Sequence, residues 1–180
     1  MTKQSTSFWN FSNQLYARDG VASACLHLQE QFQLDVNLVL FCFWSAHFDT
    51  TVPENDWEII FKFSQCWKSQ VVQPLRDVRT WMKTESIKNE SSNGAEFSIL
   101  RNQIKLDELA AEKFQQEQIE ELVPLLQSDK VEFNAKAAKS NFKNLLRAQS
   151  LELVEEMNKQ LDLIAESIEE AAETAKMLGQ

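Results

Sequence analysis

Glycine and proline are nearly missing from this chain, three of each in 180 residues, which argues against a fold built from tight turns and lets each one be read singly as punctuation. Cysteine is scarce too: three residues, an odd number without framework spacing, exclude a disulfide scaffold and fit reduced thiols. No lysine or arginine run interrupts a net charge of −9, so nucleic acid and anionic membrane surfaces are not expected partners. The longest apolar run, Val36 to Phe48, has thirteen residues, short of the roughly 20 that span a bilayer. There is no glycine-rich phosphate loop, no G-x-S-x-G and no H-E-x-x-H. No apolar leader segment follows the opening Met1-Thr2-Lys3, and a cytoplasmic location is expected.

What is present is aromatic, acidic and helical in period. All five tryptophans, the single tyrosine and eight of twelve phenylalanines precede residue 82, which places the rigid core in the N-terminal half. Residues 1–95 carry a net −2 and residues 96–180 a net −7. Ser7 can cap a first helix bearing Phe8, Phe11 and Leu15, and Gly20 suits the left-handed turn after it. A second helix carries Cys25, Leu28 and Phe32. Asp35 caps a third, Val36 to Phe48, which is apolar on all sides and therefore central.

After a loop at 50–55, Asn55 or Asp56 can cap a fourth helix with Trp57, Ile60, Phe61, Ser64 and Trp67 inward. Pro74 predicts a kink or restart, and the pattern resumes through Val78, Trp81 and Met82. Residues 90–95 look the most flexible. Leu100, Ile104, Ala111 and Phe114 form a plausible face of the next helix, which Pro124 ends or kinks. Between Leu125 and Leu178 neither proline nor glycine occurs. Val154, Met157, Leu161, Ile164 and Ile168 there follow the spacing of a heptad seam, open to packing on its own domain or on another chain. The expected fold is thus all-α: five or six helices around a buried central one in a core domain, 1–125, with an acidic, seam-bearing extension, 126–180.

Several boxes, in order, resemble a known family. Phe8-Trp9-Asn10-Phe11-Ser12 with Leu15-Tyr16-Ala17-Arg18, Asp35-Val36-Asn37-Leu38 with Leu40-Phe41-Cys42 and Trp44, and Val71-Val72-Gln73-Pro74-Leu75-Arg76 with Arg79 are similar to a bacterial family catalogued as a domain of unknown function (2390). The likeness runs from about residue 8 to 120, weaker toward Glu108 and Glu112, and fades beyond. It implies a small helical cytosolic protein, with no established activity, ligand or catalytic residue.

Candidate sites are few. Cys25 with His27, and Cys42 with His47, lie at spacings that diverge on a helix, so no metal site and no cofactor is expected. Trp9, Tyr16, Arg18, Asp35, Asn37 and Trp44 form a candidate polar cluster or pocket, either a capping network or a ligand site. Arg76, Arg79 and Lys83 share a helix face that could receive a carboxylate or phosphate. The function expected from these features is a non-enzymatic interaction or adaptor protein, binding a protein partner or itself through the seam. The alternative is a small-molecule-binding or enzymatic domain with an aromatic interhelical pocket. An enclosed cavity with convergent polar groups separates the second from the first.

Overall fold

The long apolar run, broken only by Asn37 and Ser45, becomes helix α3 (Val36–Ala46), and every side chain from Asn37 to Ala46 is buried. A computed structural model describes residues 7–88, 94–123 and 132–178, with the backbone alone at 85–88, 176 and 178. Around α3 stand α1 (Phe8–Tyr16), α2 (Val21–Phe32), α4 (Glu54–Trp67), α5 (Gln73–Lys88), α6 (Gly94–Leu122), α7 (Ala135–Ala148) and α8 (Glu155–Leu178). Lys68–Val72 forms a π turn that joins α4 to α5 as one rod, so the eight segments make seven helical bodies among the described residues, where the sequence suggested five or six. The fold is all-α. Among the described residues its only β-type pairing is an isolated bridge between Phe48 and Glu132, and none of its helices is long and apolar enough to cross a membrane.

Local chemistry sets most of the boundaries. Ser7 accepts from the Asn10 amide at 3.3 Å and Asp35 from the Asn37 amide at 2.9 Å, each satisfying an orphan donor at a helix start. Gly20 takes φ 78° between α1 and α2, and a Cβ there would meet the Leu163 side chain of α8 at 3.1 Å. Pro74 is accommodated in an unexpected way. Its ring cannot follow a regular turn, and the π turn just before it supplies the wider spacing that keeps the rod continuous. The start of α4 differs from expectation: Pro53, not Asn55 or Asp56, holds the cap position, and Glu54 and Asp56 instead lie in the first turn, facing the positive end of the helix dipole.

Aromatic side chains dominate the core on the side of α3 that meets α1 and α4. Phe8 stacks on Trp44 with centroids 5.2 Å apart, and Phe41 meets Trp57 edge-on at 5.5 Å. Helix α7 packs on α3 through Phe142, Leu145 and Leu146, all buried. Beside them the buried Asn141 is fully satisfied: it accepts from the Val52 amide at 2.8 Å and donates to Ser45 Oγ at 2.9 Å. A single buried cluster extends from Phe8 to Ile168.

The chain breaks between α7 and α8 without glycine or proline, so the sequence pattern hid it. Ser150 adopts φ 56°, while its amide bonds Arg147 O at 3.0 Å and the Leu151 amide bonds Leu146 O at 2.9 Å. That is the paired bonding of a Schellman stop with serine in the place glycine usually holds. Beyond it, Met157, Leu161, Ile164 and Ile168 are buried on the chain's own core, with α2 as the main neighbour, whereas Val154 precedes the helix and is exposed. Of the two packings left open for this seam, its own domain or another chain, the structure shows the first: apart from Val154 its apolar stripe is covered by the chain's own core. The expected flexible stretch lies mainly, and Pro124 wholly, outside the described residues.

Candidate functional site

Helix α6 inverts the usual rule for a buried face. Leu100 and Phe114, read from the sequence as inward, are exposed, while Glu108, Gln115 and Gln116 are buried beside Ala111 and Ile119. These polar residues recur at helical spacing and turn toward the start of α3, the end of α1 and the face of α5. Valine and tryptophan on α5 follow the same inversion: Val78 and Trp81 point outward, and Trp81 is 60% exposed.

Two networks engage the α6 groups. In the first, Gln115 Nε2 donates to Asp35 Oδ2 at 2.9 Å and Asn37 Nδ2 donates to Gln115 Oε1 at 2.8 Å. Gln116 Nε2 then donates to Asn37 Oδ1 at 2.7 Å. In the second, Arg76 donates from Nε to Glu108 at 2.9 Å, from Nη2 to Glu112 at 2.6 Å and from Nη1 to Gln29 at 3.1 Å, while Arg79 Nε donates to Glu108 Oε2 and its Nη2 reaches Glu108 Oε1 at 3.2 Å. The arginines are thus bound to carboxylates of their own chain. Of the face formed by Arg76, Arg79 and Lys83, expected to be able to receive a carboxylate or phosphate, Arg76 and Arg79 do receive carboxylates, those of Glu108 and Glu112 on α6, while the exposed Lys83 lies outside the cavity lining.

Between these networks lies a cavity of about 450 Å³, walled by α1, α2, α3, the π turn, α5 and α6. Trp9 and Tyr16 give it an aromatic side, Leu40 and Val72 apolar contact, and the two networks a polar side. Ser12 and Gln116 line it at 3% and 2% exposure, yet Ser12 Oγ and Gln116 Oε1 have no hydrogen-bond partner. Buried polar atoms are nearly always paired, and these two orphans both belong to residues of one cavity wall.

Charge in the cavity is tuned by the same contacts. Burial pushes the Glu108 carboxyl up, but its bonds to Arg79 and Arg76 outweigh that and leave its pKa below the ordinary value. Glu112 goes the other way: burial raises it, and the neighbouring Glu108 and Asp35 carboxylates add to the rise against the pull of Arg76. Burial also raises the Tyr16 phenol.

The sequence-derived cluster divides. Trp9, Tyr16, Asp35 and Asn37 meet at the cavity. Trp44 belongs to the aromatic core, and Arg18 leaves to donate to Ser167 O of α8 at 2.6 Å; both are corrections. The sequence reading missed Ser12, Gln29, Gln115 and Gln116, although Glu108, Glu112, Gln115 and Gln116 at four-, three- and one-residue steps trace one helical face, a polar periodicity as regular as an apolar one. The cysteine and histidine pairs have separate local roles. Cys25 is buried, its thiol pushed up to about 12, His27 bonds Glu156 at 2.7 Å, and Cys42 donates to Leu38 O at 3.2 Å.

A family model described as a protein of unknown function (DUF2390) matches residues 7–119. That span includes every residue lining the cavity and excludes α7 and α8. No curated protein and no solved structure matches the chain.

Proposed function

The chain belongs to the DUF2390 family, and we propose that it is a helical small-molecule-binding protein whose ligand occupies the cavity between α1, α3, α5 and α6. One observation carries this: two buried, unpartnered polar atoms, Ser12 Oγ and Gln116 Oε1, sit on residues that line a single cavity. The volume, about 450 Å³, falls within the range of small-molecule sites, and the mix of aromatic, aliphatic and a few convergent polar groups is the usual composition of one. The proposed setting is the cytoplasm, where the thiols of Cys25, Cys42 and Cys66 stay reduced. A thermal-shift screen tests the proposal, because a ligand that binds only the folded state raises the melting temperature by mass action. Leu109, at the lining and about half exposed, can be changed to Trp to obstruct the cavity. Compounds that stabilise the wild type and not Leu109→Trp support the function; compounds that stabilise both equally count against it.

A second reading, a protein-interaction role, rests on a different feature. Trp81 on α5 and Ile99, Leu100 and Leu106 on α6 are exposed apolar side chains, an investment that docking of a partner would explain. Sedimentation of a Trp81→Ser, Ile99→Ser double variant beside the wild type tests self-association through this surface.

A further inference from the structure

The direction of the amide chain from Asp35 is set by chemistry alone. A carboxylate only accepts, so the Gln115 group 2.9 Å from Asp35 Oδ2 must be its N–H₂ end. Gln115 then presents its oxygen to Asn37, Asn37 presents its oxygen to Gln116, and Gln116 must spend its N–H₂ on Asn37. The last group in the series, Gln116 Oε1, is left as an acceptor without a partner. No amide in the series can turn over without opposing two donors or two acceptors, so the acceptor character of the terminal group is inherited from a side chain three hydrogen bonds away.

Resting on the pocket reading above, we propose that the cavity selects ligands whose buried end donates through N–H, that is, amine-bearing small molecules, and that the Asp35 carboxylate sets this preference through the Gln115, Asn37 and Gln116 amides. Hydrogen bonds in series polarise one another, so the charge on Asp35 strengthens the terminal acceptor. The cations of the wall do not oppose this. Arg76 and Arg79 are held by Glu108 and Glu112, while Asp35 receives only neutral donors, the Asn37 amide and Gln115. Lys68, half-buried at the lining, is the one feature that would favour an anionic ligand instead. Ser12 Oγ can donate or accept and follows the ligand. Trp9 and Tyr16 supply faces for an aromatic or cationic body.

Asp35→Asn provides the decisive variant. Asparagine caps a helix as well as aspartate, and its oxygen can keep the bond from the Asn37 amide. Its N–H₂ would then face Gln115, forcing Gln115, Asn37 and Gln116 each to turn over, so that the series ends in a donor. Binding is measured by titration calorimetry with three probes: 2-phenylethylamine, its N,N,N-trimethyl derivative, which keeps the charge without N–H, and 3-phenylpropionate. The wild type should bind the amine about tenfold or more tightly than either other probe, the factor that one good hydrogen bond confers. Asp35→Asn should reverse the order in favour of the carboxylate, and Gln116→Met should remove the distinction. If 3-phenylpropionate or the trimethyl probe binds the wild-type cavity as well as the amine does, the donor preference is wrong while the pocket stands. An order that Asp35→Asn leaves unchanged sinks the relay. If none of the three binds and Leu109→Trp alters nothing in the ligand screen, the pocket itself fails.

Discussion

Gln115 reaches across from α6 to Asp35, eighty residues earlier, and donates to its carboxylate at 2.9 Å within the buried interior. The same Asp35 carboxylate caps α3 through the Asn37 amide. One side chain thus fixes both the start of the central helix and the orientation of the polar wall beside it.

Glu108 should be the most sensitive polar residue outside α3. It is buried and takes bonds from both Arg76 and Arg79, so Glu108→Ala leaves two guanidiniums without their shared partner. A loss of about 3 kcal/mol is expected, the low end for breaking a buried pair, because both arginines keep some contact with water. Urea denaturation measures it; a change under about 0.5 kcal/mol would mean the pair behaves as a surface one.

The α3 core should respond more strongly still. Phe41 is fully buried between Phe8 and Trp57, and Phe41→Ala is expected to cost about 3–5 kcal/mol through lost burial and the cavity left behind. Leu40→Ala, at the pocket edge, should cost about 2–5 kcal/mol. Denaturant midpoints with unchanged slopes would confirm that stability, and not the denatured state, has moved.

Removing α8 should unfold or severely loosen the protein. Truncation at Ser150 would bare the α2 surface now covered by Met157, Leu161, Ile164 and Ile168 and delete the Arg18 and His27 ties. Circular dichroism melts of the truncated chain should lose their cooperative transition. A truncated chain that melts like the full one would show that α8 adds nothing to the core.

Acid should destabilise the protein in two stages. Burial, with Arg18 nearby, holds the His47 imidazole below its ordinary 6.5, and the arginine contacts overcome burial to hold Glu108 below its ordinary 4.5. In both cases the unfolded chain takes up the proton first. Stability is therefore full above the ordinary value and is lost as pH falls through the folded one. The upper stage begins below about pH 6.5 and the lower below about pH 4.5. Melting temperatures of wild type and His47→Gln from pH 8 to 4 should differ in shape only in the upper stage.

Much of the fold was legible because its signals are local. The caps at Ser7 and Asp35, the left-handed Gly20 and the all-round apolarity of α3 each follow from a few adjacent residues. The stop at Ser150 was not legible, because a serine can take a left-handed turn when tertiary packing repays it. The site was half legible. Asp35, Asn37 and Tyr16 stand out as polar groups beside apolar runs and Arg76 as part of a basic helix face, but the apolar Leu100 and Phe114 of α6 face outward while Glu108, Gln115 and Gln116 are buried. Only the meeting of α3 with α6 shows that Gln115 and Gln116 complete what Asp35 begins.

Chemical-shift mapping with a hit from the thermal-shift screen tests the central claim most directly. The side-chain N–H₂ signals of Asn37, Gln115 and Gln116 and the Trp9 indole N–H report on the cavity from its polar and aromatic sides. Saturating ligand should shift all of them together, with one dissociation constant, and leave the outward Trp81 indole unmoved. Shifts confined to Trp81 and its exposed neighbours on α5 and α6, with the cavity signals still, would contradict a ligand-binding pocket and give the protein's function to that outer surface instead.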